Sequence, residues 1–223
     1  MVDTNKRIIL VTGASRGIGY AVSLELARRG HHVIALARTS GGLEELADKI
    51  DALENGAVTL IPQDLGDFNA LEALGPSLFE RFGRLDGLIG NAGILGRLMP
   101  LAQTDPKLCA NVFQINVMAN FHLIRTLDPL LRTSEKGGRA VFVTSNAATK
   151  PRAYWGAYAA SKAALENMVK TYAQETENTA LKVHLYNPVR VATAMRTQAY
   201  PGENPDKLPK PEDIAPELAD LMC

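Results

Sequence analysis

Tyr158 and Lys162 stand four residues apart in the run Tyr-Ala-Ala-Ser-Lys, with Ser145 thirteen residues upstream of the tyrosine. On a helix, residues at that spacing share a face, so a phenol and an ammonium can address one small volume. A free phenol has a pKa of about 10 and is a poor base at neutral pH, but a neighbouring cation stabilises the phenolate and lowers that value. Such a pair can accept or donate a proton at a reacting oxygen. Near the other end of the chain, Thr12-Gly13-Ala14-Ser15-Arg16-Gly17-Ile18-Gly19 follows a short apolar run and opens a helical pattern. Glycines between a first strand and a first helix let backbone approach a pyrophosphate at the helix's positive end. The spacing Gly-x-x-x-Gly-x-Gly is wider than the commonest dinucleotide fingerprint, and its placement is what favours a nucleotide over a plain tight turn.

These groups need a scaffold that brings the two ends of the sequence together. Short β-branched, apolar runs at residues 7–11, 32–37, 58–62, 85–90, 139–144 and 182–186 read as buried strands. Between them, residues 17–29, 41–53, 68–82, 106–131 and 157–176 are long enough for crossover helices, and a further helical pattern starts near Pro211. Strands alternating with helices predict an α/β fold, a doubly wound Rossmann-type parallel sheet flanked by helices, because parallel neighbours require a crossover. No linker, composition shift or repeat divides the chain, so a single domain over residues 1–223 is expected.

Composition narrows the partners. Lys plus Arg equals Asp plus Glu at 24 each, so no net field draws the chain to nucleic acid or an anionic membrane. The polar start, Met-Val-Asp-Thr-Asn-Lys-Arg, lacks the apolar stretch of a leader, and no run reaches the roughly 18 apolar residues of a membrane span. Cys109 and Cys223 read as free thiols in a reducing compartment, and a cytoplasmic location is expected. His31, His32, His122 and His184 show no metal-like spacing, and no metal site is assigned.

The ordered set of motifs resembles the short-chain dehydrogenase/reductase family over about residues 6–193. The glycine turn matches the family's cofactor turn, with Gly13, Ser15, Arg16, Gly17, Ile18 and Gly19 as its cofactor residues. Asp64 and Leu65 follow the third strand where the family contacts adenine. Asn91, Ala92 and Gly93 follow the fourth, where the family borders the cofactor ribose. Asn116, Ser145, Tyr158 and Lys162 match the catalytic tetrad. The resemblance implies that Tyr158 exchanges a proton with a carbonyl or alcohol oxygen while hydride passes to or from a nicotinamide. It implies that Lys162 lowers the Tyr158 pKa and binds the ribose, that Ser145 orients the reacting oxygen, and that Asn116 holds a water in a relay to Lys162. Pro188, Val191 and Thr193 match the segment that holds the nicotinamide carboxamide, but Val189 replaces the usual glycine, and valine resists positive φ. Taken singly, a tyrosine near a helix start packs, an asparagine in a helix solvates and a serine after a strand turns; their joint spacing favours chemistry.

Cofactor choice is read after the second strand. NAD sites commonly place an acid there for the ribose hydroxyls, whereas arginine can pair with a 2′-phosphate. Here Ala37 is followed by Arg38, and Arg16 adds a second cation, so NADP(H) is expected over NAD(H). The segments 94–99, 150–155 and 189–200 are the natural walls of a substrate pocket. Ile94, Leu98, Tyr154 and Trp155 suggest an apolar wall, and Arg97, Arg152 and Arg190 could meet an acidic group. The family's usual seventh strand is not expected: either the fold manages without it or the sequence is a shortened version of a longer protein, and its absence leaves the sixth strand's outer edge bare unless a partner or loop covers it. The leading reading is an NADP(H)-dependent carbonyl reductase or alcohol dehydrogenase, a homodimer or homotetramer pairing through 106–131 and 157–176. A non-catalytic NADP(H) sensor or interaction protein, and a 3-oxoacyl carrier-protein reductase with a basic docking surface, are the alternatives.

Overall fold

Alternate residues of each central strand point to opposite sides of a sheet, and here both sides are apolar. In β1 (Ile8–Thr12), Ile9 and Val11 join Val33 and Ala35 of β2 (His32–Ala37) in one core, while Leu10 joins Ile34 and Leu36 in another. A strand buried on both faces cannot sit in a two-layer fold, so helices must cover each side. The first core is roofed by α1 (Gly17–Arg28), α2 (Ser40–Asp51) and α8 (Pro211–Asp220). The second is covered by α3 (Phe68–Phe82), α5 (Ala119–Arg132) and α6 (Gly156–Glu175). The computed structural model describes residues 6–223; residues 1–5, used in reading the N-terminus, lie outside the described residues.

With β3 (Ala57–Pro62), β4 (Gly87–Gly90), β5 (Arg139–Val143) and β6 (Lys182–Tyr186), the sheet has the order β3-β2-β1-β4-β5-β6, every pair parallel. The order reverses between β1 and β4, which opens a crevice at the carboxyl ends of the strands. The expected Rossmann-type sheet is therefore present. β6 is an edge strand, with Lys182 and His184 exposed along it, and no strand pairs with its outer side among the described residues.

The elements differ from the sequence reading in instructive places. β4 begins at Gly87 rather than residue 85; the Asp86 backbone still bonds Ile8 O at 2.8 Å and Arg139 N at 3.1 Å, while its fully buried carboxylate accepts from Ile8 N at 2.9 Å and Ser134 Oγ at 2.6 Å. A side chain thus adds to the bonding of the strand ladder. The helix expected over 106–131 is broken into α4 (Pro106–Phe113), a π-helical turn at Gln114–Met118, and α5. The added residue of such a turn leaves apolar periodicity nearly intact, and π turns cluster at functional sites. A short α7 (Ala194–Ala199), unforeseen, is capped by Thr193 Oγ1, which accepts from Arg196 N at 3.2 Å.

Candidate active site

The turn between β1 and α1 is shaped by glycine at three positions. Gly13 and Gly17 have φ of +68° and +58°, the left-handed region that side chains resist. At Gly19 the constraint is space, since a Cβ would lie 2.4 Å from the Gly13 carbonyl oxygen and 2.5 Å from Asn91 Nδ2. The N-terminus of α1 has no side-chain cap and no acid in its first turn. Its amide donors are therefore left for an anion, and the helix dipole favours one there.

Thr12 ties this turn to the segment after β4. Its hydroxyl accepts from the backbone N–H of Asn91 and of Ala92, each at 3.0 Å, and its carbonyl accepts from Asn91 Nδ2 at 2.9 Å. One wall of the crevice is fixed in this way, and Gly93 follows on it. A Cβ on Gly93 would stand 3.6 Å from Lys162 Nζ, so the loop after β4 and the second turn of α6 meet.

Ser145 lies just beyond β5, and Tyr158 and Lys162 occupy successive turns at the start of α6. Both α6 side chains are buried, and both face the cleft. Burial pushes the Tyr158 phenol above its ordinary value, and the nearby Ser145 hydroxyl pulls in the opposite direction. Burial also lowers Lys162 to about 8, against a smaller opposing effect of the Glu166 carboxylate one turn on. Lys162 Nζ donates to the Val143 carbonyl at 2.8 Å. Desolvation thus outweighs the Ser145 hydroxyl's pull, and the Tyr158 phenol stands above its ordinary value in this structure.

Asn116 ties two elements together behind these groups. It is fully buried in the π turn, its Oδ1 accepts from Ile94 N at 2.8 Å, and its Nδ2 donates to Ile94 O at 2.9 Å and to Ser161 Oγ at 3.0 Å. Both amide hydrogens are spent, and the side chain braces the β4 loop against α6.

A cleft of about 1070 Å³ runs along the carboxyl ends of the strands. It is lined by the expected Gly13, Ser15, Arg16, Gly17 and Ile18 at one end and by Ser145, Tyr158 and Lys162 at the other. Arg38, Asp64, Leu65, Asn91, Ala92, Gly93, Pro188, Val191 and Thr193 line it between. Gly19 and Asn116 stand behind the lining. Arg38 is exposed and sits 3.9 Å from the Asp64 carboxylate. Gly42, at the start of α2, was not foreseen as part of the site; a Cβ there would meet the Ser15 carbonyl oxygen at 2.5 Å. The Gly41-Gly42 pair at a helix start was the available signal.

Val189 adopts φ +58° although it is not glycine, so the departure seen in the sequence becomes real backbone strain on an exposed residue. Leu95, Ala147 and Tyr158 pack with Leu98, Trp155, Met195 and Ala199 into a small apolar cluster beside the phenol. Trp155 meets Tyr158 edge-on at 5.8 Å and leans on Tyr200 at 5.7 Å. Of the residues expected on the apolar wall, Ile94, Leu98 and Trp155 hold that place, whereas Tyr154 is exposed at φ +74° and lines no cavity described here. Arg97 also lies away from the cleft, while Arg152 and Arg190 border a second, smaller cavity that opens beside Ser145.

Comparison with known proteins gives a consistent result. The family model described as short chain dehydrogenase matches residues 7–204. The chain is 40% identical over 220 residues to the uncharacterized oxidoreductase YciK of Escherichia coli K12, covering 98% of this chain and 86% of that protein. A solved short chain dehydrogenase from Shigella flexneri 2a, complexed with NADP, superposes with a TM-score of 0.91 at 40% identity, covering 98% of this chain and 91% of the other. One from Escherichia coli CFT073, complexed with NADPH, has the same TM-score, identity and coverage.

Proposed function

The chain belongs to the short-chain dehydrogenase family, and from that premise we propose that it is an NADP(H)-dependent carbonyl reductase or alcohol dehydrogenase whose acid is Tyr158. The observation that carries this reading is one cleft in which the glycine turn, Ser145, Tyr158 and Lys162 converge. The fit to a dinucleotide rests on the uncapped α1 N-terminus and the glycines at Gly13, Gly17 and Gly19, where side chains would fill the cradle or strain it. Arg38 at the end of β2, with no acid in its place, supports the 2′-phosphate form, as do the NADP and NADPH complexes of the two similar proteins.

When bound, the nicotinamide supplies or accepts the hydride. The chain's residues handle the oxygen and the proton. Tyr158, whose phenol stands above its ordinary value and so carries its proton at neutral pH, is set to donate to a carbonyl oxygen. Ser145 sits beside the phenol to donate a second hydrogen bond to the same oxygen. Lys162, lowered to about 8, bears a charge at neutral pH that stabilises the phenolate left after transfer. Asn116 positions both elements through Ile94 and Ser161. Gly13, Ser15, Arg16, Gly17, Ile18, Asp64, Leu65, Asn91, Ala92, Gly93, Pro188, Val191 and Thr193 are the proposed cofactor contacts, with Gly19 allowing the turn to close.

We place residues 1–223 in a single catalytic domain. The exposed Met118 and Phe121, on the π turn and α5, support pairing of two copies through that face. Light scattering that returned the mass of one chain, 24.1 kDa, would count against that pairing. The two free cysteines support a reducing, cytoplasmic setting, and no described helix is long and apolar enough to cross a membrane. A panel of ketones, aldehydes, acyl thioesters and alcohols, run with NADP(H) and NAD(H), tests the assignment. Turnover of a ketone or aldehyde with NADPH is expected. Tight NADPH binding with no turnover across the panel would favour the sensor, and turnover confined to carrier-bound acyl thioesters would favour the carrier-protein reductase.

A further inference from the structure

A second cavity of about 350 Å³ opens from the catalytic end of the cleft and shares Ser145, Trp155, Val189, Arg196 and Tyr200 with it. Four cations line this cavity, Lys150, Arg152, Arg190 and Arg196, against one acid, Glu203. That acid is already committed: Glu203 grips Arg196 through two bonds of 2.5 Å and 2.7 Å. Lys150, Arg152 and Arg190 have no ion-pair partner among the described residues. A local excess of three positive charges thus sits in a chain whose formal net charge is zero.

Two of these cations are held in place. Arg196, fixed by Glu203, lies 3.7 Å over the Tyr200 ring, and Arg152 donates to the Tyr200 hydroxyl. The stack Glu203–Arg196–Tyr200 therefore fixes one edge of Arg152 while most of its five N–H donors stay free. Arg190 follows Val189, whose strained φ of +58° and Asx-type bond to Asn187 Oδ1 at 3.0 Å set where the chain turns. Free surface charges on a solvated face would need neither a concave wall nor a stacked support.

We infer that this cavity takes the anionic group of the substrate, so that the reacting compound is a ketone or aldehyde with an apolar body and a carboxylate or phosphate. The inference rests on the carbonyl-reductase reading for the reacting end, and the cavity supplies the other end. The carbonyl lies at Ser145 and Tyr158, the body runs along Trp155 and its apolar neighbours, and the anion reaches Arg152, Arg190 and Lys150. Bidentate geometry makes the two arginines the main specificity determinants.

Trp155 is the single tryptophan of the chain and stands in the shared wall, so its fluorescence reports occupancy without any need for turnover. The probes are 5-oxohexanoate against its methyl ester for the carboxylate arm, and 4-oxopentyl phosphate against 5-hydroxypentan-2-one for the phosphate arm, each with a short apolar body between carbonyl and anion. The protein is used with NADP bound. At least one anion should bind about tenfold more tightly than its neutral partner, the scale of one charge-assisted contact at a partly wet site. That preference should shrink as salt is raised and fall by a similar factor in Arg152→Gln and in Arg190→Gln. The arm that responds identifies the anion. Equal binding of acid and neutral partner in both arms, or a preference untouched by both substitutions, would overturn the inference. Anion binding that meets these criteria without any NADPH oxidation would support the cavity and count against the reductase reading instead.

Discussion

Replacing Arg38 by aspartate should reverse cofactor preference, and the geometry sets the size of the effect. The Arg38 side chain is 80% exposed and 3.9 Å from Asp64, itself about half exposed. An exposed pair of this kind is worth about 0–1 kcal/mol, so a ligand phosphate displaces it at little cost. A charge-assisted contact to that phosphate lies at the low end of its range here because of exposure, about 1.5 kcal/mol. The substitution removes that contact and adds a carboxylate that repels the 2′-phosphate by roughly 1 kcal/mol at contact distance in water. Together these reduce the ratio of NADPH to NADH affinity by roughly fifty- to a hundredfold. The new acid can also accept from the ribose hydroxyls of NADH. Calorimetric titration of both nucleotides into wild type, Arg38→Ala and Arg38→Asp checks this, with Arg38→Ala expected at about a tenfold loss of preference. A wild-type protein that binds NADH as tightly as NADPH, with a ratio unmoved in Arg38→Asp, would show that Arg38 is only a surface charge.

Two further predictions concern the cleft's walls. Val189→Gly should stabilise the protein by about 0.5–1 kcal/mol, because relief of a left-handed β-branched residue exceeds the added freedom of the unfolded chain; thermal unfolding reads it as a rise of a few degrees, and a lowered midpoint would refute it. Lys162→Met tests the buried ammonium through pH. Wild-type Lys162 binds its proton less well folded, at about 8, than unfolded, at 10.5, so the penalty for its charge is fully present below the folded value and fades as pH climbs toward the unfolded one. The stability of Lys162→Met relative to wild type should therefore fall by on the order of 2 kcal/mol between about pH 7 and about pH 10. Denaturant titrations showing a pH-independent difference would contradict the burial of this charge.

Much of this architecture was legible because alternating buried residues and crossover lengths admit few other arrangements. The strands at 32–37 and 182–186 were read with their observed bounds, since apolar runs end there at glycine, charge or turn residues. The glycine turn was legible for a steric reason: no side chain fits at Gly19, and Gly13 and Gly17 need positive φ. What stayed hidden depends on tertiary contact. Asp86, just before β4, bonds through its carboxylate to Ile8 of β1 and to Ser134 after α5, which no local pattern reveals. The π turn at Asn116 preserves the apolar face of a helix, and the amide's full use by Ile94 and Ser161 depends on segments far along the chain. The pKa of Tyr158 was read from its cationic neighbour alone, whereas burial, a property of the whole fold, dominates it. The Glu203–Arg196–Tyr200 stack has no sequence signal, since the pairing of Arg196 with Glu203, its place over the Tyr200 ring and the Arg152 bond to the Tyr200 hydroxyl arise only in the fold.

The most direct test compares wild type with Tyr158→Phe for NADPH affinity and for single-turnover NADPH oxidation on a ketone or aldehyde that the panel finds active. The substitution keeps most of the ring's packing against Trp155 and removes the proton that the Tyr158 phenol carries. Fold and NADPH affinity should be nearly unchanged, while the rate of oxidation should fall by at least about a hundredfold, as expected for loss of a general acid. A Tyr158→Phe protein that oxidises NADPH at close to the wild-type rate on that substrate would contradict the account.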